Sequence, residues 1–505
     1  MKIKILTDEL RITKSFKQIF LILFLIVFSI KVCSQSSDSG LESIKSEELL
    51  QTVKTLTSPE LDGRLPGSEG YNKAANFVAE KFSRHELIPA GDDGYFQYLN
   101  VEYNKIDTPV VFNLIKEGNK IPFVFGKDFV FRGFTGSGNL ALPVAFCGYG
   151  ISRPDLGYDD YKNIDVNDKI VLVFKQNPSW KIKETNWGNE YPRQKSRVAY
   201  EHGAKGILFV SRPNDKKIQP LIGSVMHGEG EQLENFPQLQ ISPEAANEFI
   251  VSSGYSLSEC QMKIDAKEKP FSFLTRREAE IKVRTEYIKS TKTMNVVGKI
   301  EGTDPALKNE YLIIGAHLDH VGSQAGLLFP GANDNASGSA GVIQLAKAFQ
   351  DSQLKPKRSI LFVLFASEEQ GLFGSKHFVE NLKIKPDKIV AMFNMDCIGY
   401  GDSIQIGNGK SAPELWKIAD SLDQEIGRLM VRETWNGGGA DATPFYEKGI
   451  PCLYFASKYS YDYLHQPTDI PETLNTNLFE SIVRLAYLTA REVVDGKYKR
   501  EKIIK

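Results

Sequence analysis

The run YLIIGA ends in His317 and Asp319, RSILFVLFAS ends in the pair Glu368 and Glu369, and KIVAMFNM ends in Asp396. The bridge between the first two runs, GANDNASGSAG, carries Asp334 in a Gly- and Ser-rich turn, and the run GIPCLYFA is followed after a short loop by His465. Imidazoles and carboxylates gathered at the ends of apolar runs, with no Ser or Cys nucleophile set beside a base, point to hydrolysis by metal-held water.

Each of these residues also has an ordinary structural explanation. A single His after a strand is commonly hydrogen-bonded structure, and His85, His202, His227 and His377 are read that way. His317 differs because Asp319 is placed to accept its second ring N–H and fix the tautomer. Adjacent glutamates usually mark a solvated helix face, but Glu368 and Glu369 follow a wholly apolar run and precede Gln370 and Gly371, where a turn aims both at one place. Asp334 suits a helix cap, and Asp396 a turn. All of them in order, each at the end of a run, favour a shared site, because a motif gains weight from its structural context.

The elements that must position these groups are legible as alternation. YLIIGA is followed by the helical pattern SAGVIQLAKAFQ, SILFVLFA by SKHFVENL, and KIVAMFNM by a loop, a strand and APELWKIADSL. Strands of Ile, Leu, Val and Phe without polar alternation are buried on both faces, as in a largely parallel α/β sheet. Such sheets bind ligands beyond the carboxyl ends of their strands, where these residues stand. Upstream, LPGSEG turns into an amphipathic helix through Ala74, Phe77, Val78, Ala79 and Phe82. From about Val130 the texture changes to short β-like runs (LALPVAFCGYG, DKIVLVF, KGILFV, FPQLQIS) with the helix RVAYEHGA among them. The expected organisation is a signal peptide over 1–34, the first part of the main domain over 35–129, an inserted β-rich domain over 130–273, and the main part over 274–505, resuming with the strands EIKVRTEYIKS and MNVVGKIEG.

Composition narrows the functional classes. Met1–Lys17 carries five Lys or Arg and precedes the uncharged run Ile19–Ile30, which falls short of the ~20 apolar residues that span a bilayer. It reads as a signal peptide cleaved after Ser34, so that the mature protein is exported, periplasmic or secreted, without a stable membrane span; lipidation at Cys33 is the less favoured alternative. The net charge of -1 and the lack of a basic stripe speak against nucleic acid as a partner. Cys147, Cys260, Cys397 and Cys452 are too few to staple a chain of 505 residues, although one disulfide is compatible with export; Cys397 and Cys452 read as buried thiols.

These motifs resemble the exported zinc exopeptidases of the bacterial leucyl aminopeptidase, aminopeptidase Y and glutamate carboxypeptidase family, including members with an inserted protease-associated (PA) domain. The resemblance runs from the LDGRLPGSEG entry through AFCGYG and AYEHGAKGILFV to every motif named above. It implies an α/β fold with a mostly parallel mixed sheet flanked by helices, of the zinc-peptidase, phosphorylase/hydrolase-like type, and two zinc ions per chain. It further implies that His317 and Asp396 hold one zinc, Glu369 and His465 the other, and Asp334 bridges both. Glu368 then matches the general base and Asp319 the carboxylate orienting His317, and a cis peptide is implied between Asp334 and Asn335. The family's Ser-Asp-His segment is represented by GGGADATPF, in which Asp441 keeps the acidic position while its neighbours differ.

The function implied is an aminopeptidase acting on peptide substrates. A carboxypeptidase or dipeptidase would need cations for the terminal carboxylate, for which Arg193 and Arg197 are candidates. A glutaminyl cyclase uses a related fold with one zinc, and a receptor-like scaffold would have lost its metals; the complete ligand set disfavours both. Side-chain preference is expected to come from Tyr459–Leu464 and the WNGGGA loop, whose glycines suit close backbone approach.

Overall fold

The computed structural model describes residues 38–182, 187, 191–228 and 230–504. The expected signal peptide over 1–34 and Cys33 lie outside the described residues.

The strands that position the site are β1 (Phe96–Lys116), β2 (Phe129–Phe131), β3 (Gly138–Cys147), β4 (Ile170–Phe174), β5 (Gly206–Val210), β6 (Gln238–Ile241), β7 (Ser272–Ile300), β8 (Tyr311–His317), β9 (Ser359–Phe365), β10 (Ile389–Met395), β11 (Ile404–Gly407) and β12 (Cys452–Ser457). They run side by side in the order β11-β12-β10-β8-β9-β7-β3-β4-β5-β6-β2, with β1 also paired to β7. The central strands β9, β8, β10 and β12 are mutually parallel, and so are β3, β4, β5 and β6. Antiparallel pairing joins β7 to β9 on one side and to β3 on the other. The fold is therefore α/β with one large mixed sheet.

Both faces of the central strands are covered, and the period-two side-chain alternation shows how. Ile360, Phe362 and Leu364 of β9 enter a core with Leu49, Val53 and Leu56 of helix α1 (Ser46–Leu56), Ala74, Val78 and Phe82 of α2 (Glu69–Arg84), and the inner faces of α3 (Gly338–Asp351) and α4 (Thr476–Val494). Leu361, Val363 and Phe365 point the other way, into a smaller core with Phe378 of the helix Phe373–Glu380 and Phe445 of the helix Ala442–Glu447. Each fully buried Leu, Ile or Phe contributes about 1.5–3 kcal/mol, which explains why these runs carry no polar alternation.

Residues 272–300 form one strand, not the two expected from the sequence. The pattern breaks near 288–292 because those side chains are largely exposed, while the backbone stays extended against β1 through register shifts. This ribbon links two cores. A second lobe buries Phe146, Leu172, Leu208 and Leu239 together with Ile106, Phe112 and Leu114 of β1 and Ala279 and Ile281 of β7, so its core extends past the expected limits at 130 and 273. Cys147, Cys260, Cys397 and Cys452 are all buried free thiols.

One side chain locks the loops that bear the site. Arg64, from the LDGR entry, is fully buried and donates from Nε to the Leu318 carbonyl (2.8 Å), from Nη1 to Leu56 (2.6 Å) and Pro330 (2.8 Å), and from Nη2 to Gly331 (3.0 Å). Gly63 beside it has φ +65, and a Cβ there would lie 2.4 Å from the Gly322 carbonyl oxygen. Replacing Arg64 by Met fills the space but leaves the Leu56, Leu318 and Pro330 carbonyls without a donor, while Gly331 keeps the Ala336 amide. Each buried orphan costs about 1–3 kcal/mol, so chemical denaturation of Arg64→Met is expected to show a stability loss of about 3 kcal/mol or more; a loss below about 1 kcal/mol contradicts the locking role.

Candidate metal centre

Register brings the chemistry to one edge. β8 and β9 pair so that His317 stands beside Phe365, and Glu368 and Glu369 follow three and four residues later. Asp396 directly follows β10, His465 lies in the loop after β12, and Asp334 occupies the turn Ala332–Ser337 that opens α3. These side chains form two groups. His317 Nε2 stands 3.3 Å from Asp334 Oδ1 and 3.4 Å from Asp396 Oδ1. His465 Nε2 stands 2.8 Å from Glu369 Oε2 and 3.1 Å from Asp334 Oδ2, and His320 Nδ1 adds itself at 3.1 Å from Glu369 Oε1. Within each group the donor atoms lie within 4.8 Å of one another. Asp334 thus turns one oxygen to each group.

The donors fit divalent cations. Asp334 Oδ2 and Asp396 Oδ1 are buried and make no hydrogen bond, although each faces an imidazole nitrogen. Buried polar atoms are nearly always paired, and a mixed nitrogen and oxygen set of this kind suits zinc. A cavity of about 420 Å³ opens onto both groups and onto Glu368, with Trp435, Gly439, Tyr454, Tyr461 and Leu464 in its walls. The WNGGGA loop and the segment Tyr459–Leu464 therefore both reach it, as expected.

The surrounding main chain is tightly tied. Asp469 accepts from the amides of Asn333 (2.8 Å) and Asp334 (3.0 Å). Asn335 bonds the Met395 carbonyl and accepts from Gly338, joining the Asp334 turn to the end of β10. The Asp334–Asn335 peptide is cis, as expected. Gly331 is required here, since a Cβ would lie 2.5 Å from the His320 ring and 2.3 Å from the Asp334 carbonyl oxygen. Tyr454 donates its hydroxyl to Asp396 Oδ2 at 2.5 Å, and Gly223 of the second lobe donates to the His465 carbonyl at 2.7 Å.

Asp319 differs from the expectation. His317 Nδ1 lies 3.2 Å from the main-chain carbonyl of Asp319 and 3.9 Å from its carboxylate. The carboxylate is occupied instead by the amides of Glu368 (3.1 Å) and Glu369 (3.3 Å). Asp319 thus supplies His317 with a carbonyl and holds the turn that aims the two glutamates. Arg193 is likewise committed elsewhere, to Glu102 at 3.0 and 3.2 Å.

Three participants escape the sequence argument. His320 was visible only as the fourth residue of HLDH, and an extended chain would send it away from His317; its amide donates to the Arg64 carbonyl at 3.2 Å and its ring lies against Gly331. Asp469 and Tyr454 act on the ligands from outside, and the spacing His465-x3-Asp469 was the one available signal.

Residues 295–490 match the model of peptidase family M28, so this part of the chain resembles the M28 peptidases. The leupeptin-inactivating enzyme 1 of Streptomyces exfoliatus is 34% identical over 166 residues, covering 31% of this chain and 34% of that one. A solved peptidase M28 precursor from Shewanella amazonensis SB2B superposes with TM-score 0.68 at 21% identity, covering 92% and 97% of the two chains. An aminopeptidase from Aneurinibacillus sp. strain AM-1 gives 0.64 at 19% identity, over 92% and 97%. The fold is that of these proteins. The chain spans between about a third and two thirds of the length of the first curated relatives it matches.

The electrostatics of the donors predict how they take up metal. Burial opposes the charged forms, yet Asp334 and Asp396 hold the His317 imidazole well above its ordinary pKa, and Glu369 and Asp334 hold His465 up at about 10. Burial likewise opposes ionisation of Glu369, but His465 and His320 keep its carboxyl down at about 2. His320 itself is lowered by burial. At neutral pH, without metal, His317 and His465 therefore carry a proton that coordination must expel. Titration calorimetry at pH 7 in buffers of different ionisation enthalpy is expected to show about two protons released per chain on zinc saturation, with apparent affinity rising as pH rises toward 10. Zinc uptake without net proton release contradicts this charge assignment.

Proposed function

We propose that the chain is an exported zinc aminopeptidase that removes the N-terminal residue of peptides. The observation that carries the reading is the sharing of Asp334 between two donor groups beneath one open cavity, with Glu368 as the half-buried carboxylate beside them that belongs to neither group. His317, Asp334 and Asp396 would hold one zinc; Asp334, Glu369 and His465, joined by His320, would hold the second. Bound zinc would supply the polarised carbonyl and the acidified water that peptide hydrolysis requires.

The chain's own residues supply the rest. Burial, together with the carboxylates of Glu369, Asp441 and Asp396, pushes the Glu368 carboxyl well above its ordinary range, which makes it a competent proton acceptor. Glu368 takes the proton from the attacking water and returns it to the leaving amine nitrogen as the C–N bond breaks. The Asp319 carboxylate fixes Glu368 and Glu369 relative to each other through their amides. The first cavity has no Lys or Arg among its lining residues to receive a substrate carboxylate, which favours the amino-terminal end of a peptide there. Trp435, Tyr454 and Tyr461 offer aromatic surface for the side chain of the residue removed. The inserted segment fits a PA-like role of covering the cleft, supported by the Gly223 bond to His465.

Two measurements test this. Leucine anilide is expected to be hydrolysed and N-acetyl-leucine anilide left intact; cleavage of the acetylated substrate at a comparable rate contradicts the aminopeptidase reading. Glu368→Gln is expected to keep its zinc and lose about 10²–10⁴ in kcat, the usual worth of a general base. Glu369→Gln removes a charged donor, so zinc affinity and activity fall together. If Glu368→Gln loses zinc and Glu369→Gln keeps it, the two roles are exchanged.

A further inference from the structure

A second cavity, of about 390 Å³, shares Glu368, Glu369 and His465 with the first and is lined from the second lobe by Arg132, Ser224 and His227. Arg132 is 6% exposed and its bonding is incomplete. Nη1 donates to Gln240 Oε1 at 3.0 Å, the guanidinium carbon stands 5.6 Å from the Phe134 ring centre, and Nε is buried with no partner among the described residues. The other buried arginines are served differently. Arg64 donates to four carbonyls, Arg193 pairs with Glu102, Arg358 with Glu310, and Arg491 with Asp495. No carboxylate among the described residues pairs with Arg132, and its acceptor Gln240 Oε1 also receives Lys175 Nζ at 3.2 Å. Burial draws the Arg132 guanidinium down to about 10, so it is a cation at neutral pH.

A buried guanidinium without an anion is costly, and its planar fork of donors matches a carboxylate. The two cavities share Glu368, Glu369 and His465 and differ in their remaining walls: the first has no Lys or Arg in its lining, whereas the second has Arg132, which no carboxylate among the described residues pairs with. We propose that Arg132 receives a carboxylate on the leaving portion of the substrate, so that the enzyme favours short peptides ending in a free carboxylate, or peptides with an acidic residue after the scissile bond. This rests on the peptidase reading above and specifies its substrate class.

The test is steady-state hydrolysis of Leu-Gly-Gly, its C-terminal amide, and the amide of Leu-Glu-Gly, by wild type, Arg132→Gln and Arg132→Lys. In wild type, KM for Leu-Gly-Gly is expected at least about tenfold below that of its amide, as for one charged hydrogen bond, with kcat little changed. Low KM for the Leu-Glu-Gly amide as well identifies a side-chain carboxylate as a second source. Arg132→Gln is expected to bring the acid-to-amide ratio of KM to near one, and Arg132→Lys, which keeps the charge, to retain part of it. Equal KM for all three peptides in wild type overturns the inference and leaves the peptidase reading standing. A ratio kept by Arg132→Gln overturns the assignment to Arg132. Hydrolysis of none of the three overturns both.

Discussion

Buried negative charge is the constraint from which the rest of this molecule follows. Asp319, Asp334, Asp396, Asp441 and Asp469 are all nearly inaccessible, and Glu368 and Glu369 stand among them. Carboxylates cannot be gathered in a protein interior without compensation. Part of that compensation is permanent: the Arg64 guanidinium, drawn down by burial to about 10, lies within electrostatic reach of Asp319, Asp334, Asp469 and Glu369. Part is conditional, because His317 and His465 remain cationic only until a metal replaces their protons.

The fold exists to make that gathering possible. Parallel strands buried on both faces end at one edge, so residues far apart in sequence converge without any of them lying within a helix. Precision comes from the backbone around them: Asp469 grips the Asp334 turn, Asn335 ties it to β10, and Asp319 ties β8 to the glutamate turn. The second lobe joins through the long ribbon of β1 and β7 and places the segment 222–227 along the wall of the second cavity.

The sheet and the convergence of the candidate donors were legible because most of the apolar runs end in one of them. His317, Glu368, Glu369 and Asp396 needed only strand ends to be located, Asp334 and His465 also the loops between elements, and a two-sided buried strand announces itself by lacking polar alternation. Less legible were contacts with distant segments. His320 is held by its amide bond to the distant Arg64 carbonyl, and Asp319 exchanged its expected imidazole partner for two backbone amides, since a nearer carbonyl already served His317. Arg132 and Arg64 were invisible for another reason: the burial of a cation depends on which distant carbonyls or cavities surround it, and no periodicity in the sequence encodes that. The single strand over 272–300 was hidden by its exposed middle.

The central claim is that the two donor groups sharing Asp334 hold one metal ion each. Elemental analysis of the protein after saturation with zinc and removal of excess tests it most directly. The account predicts two equivalents of zinc per chain, one for each donor group, reduced to one in a folded His465→Ala variant. A single equivalent in the wild-type protein, or none, at neutral pH contradicts it.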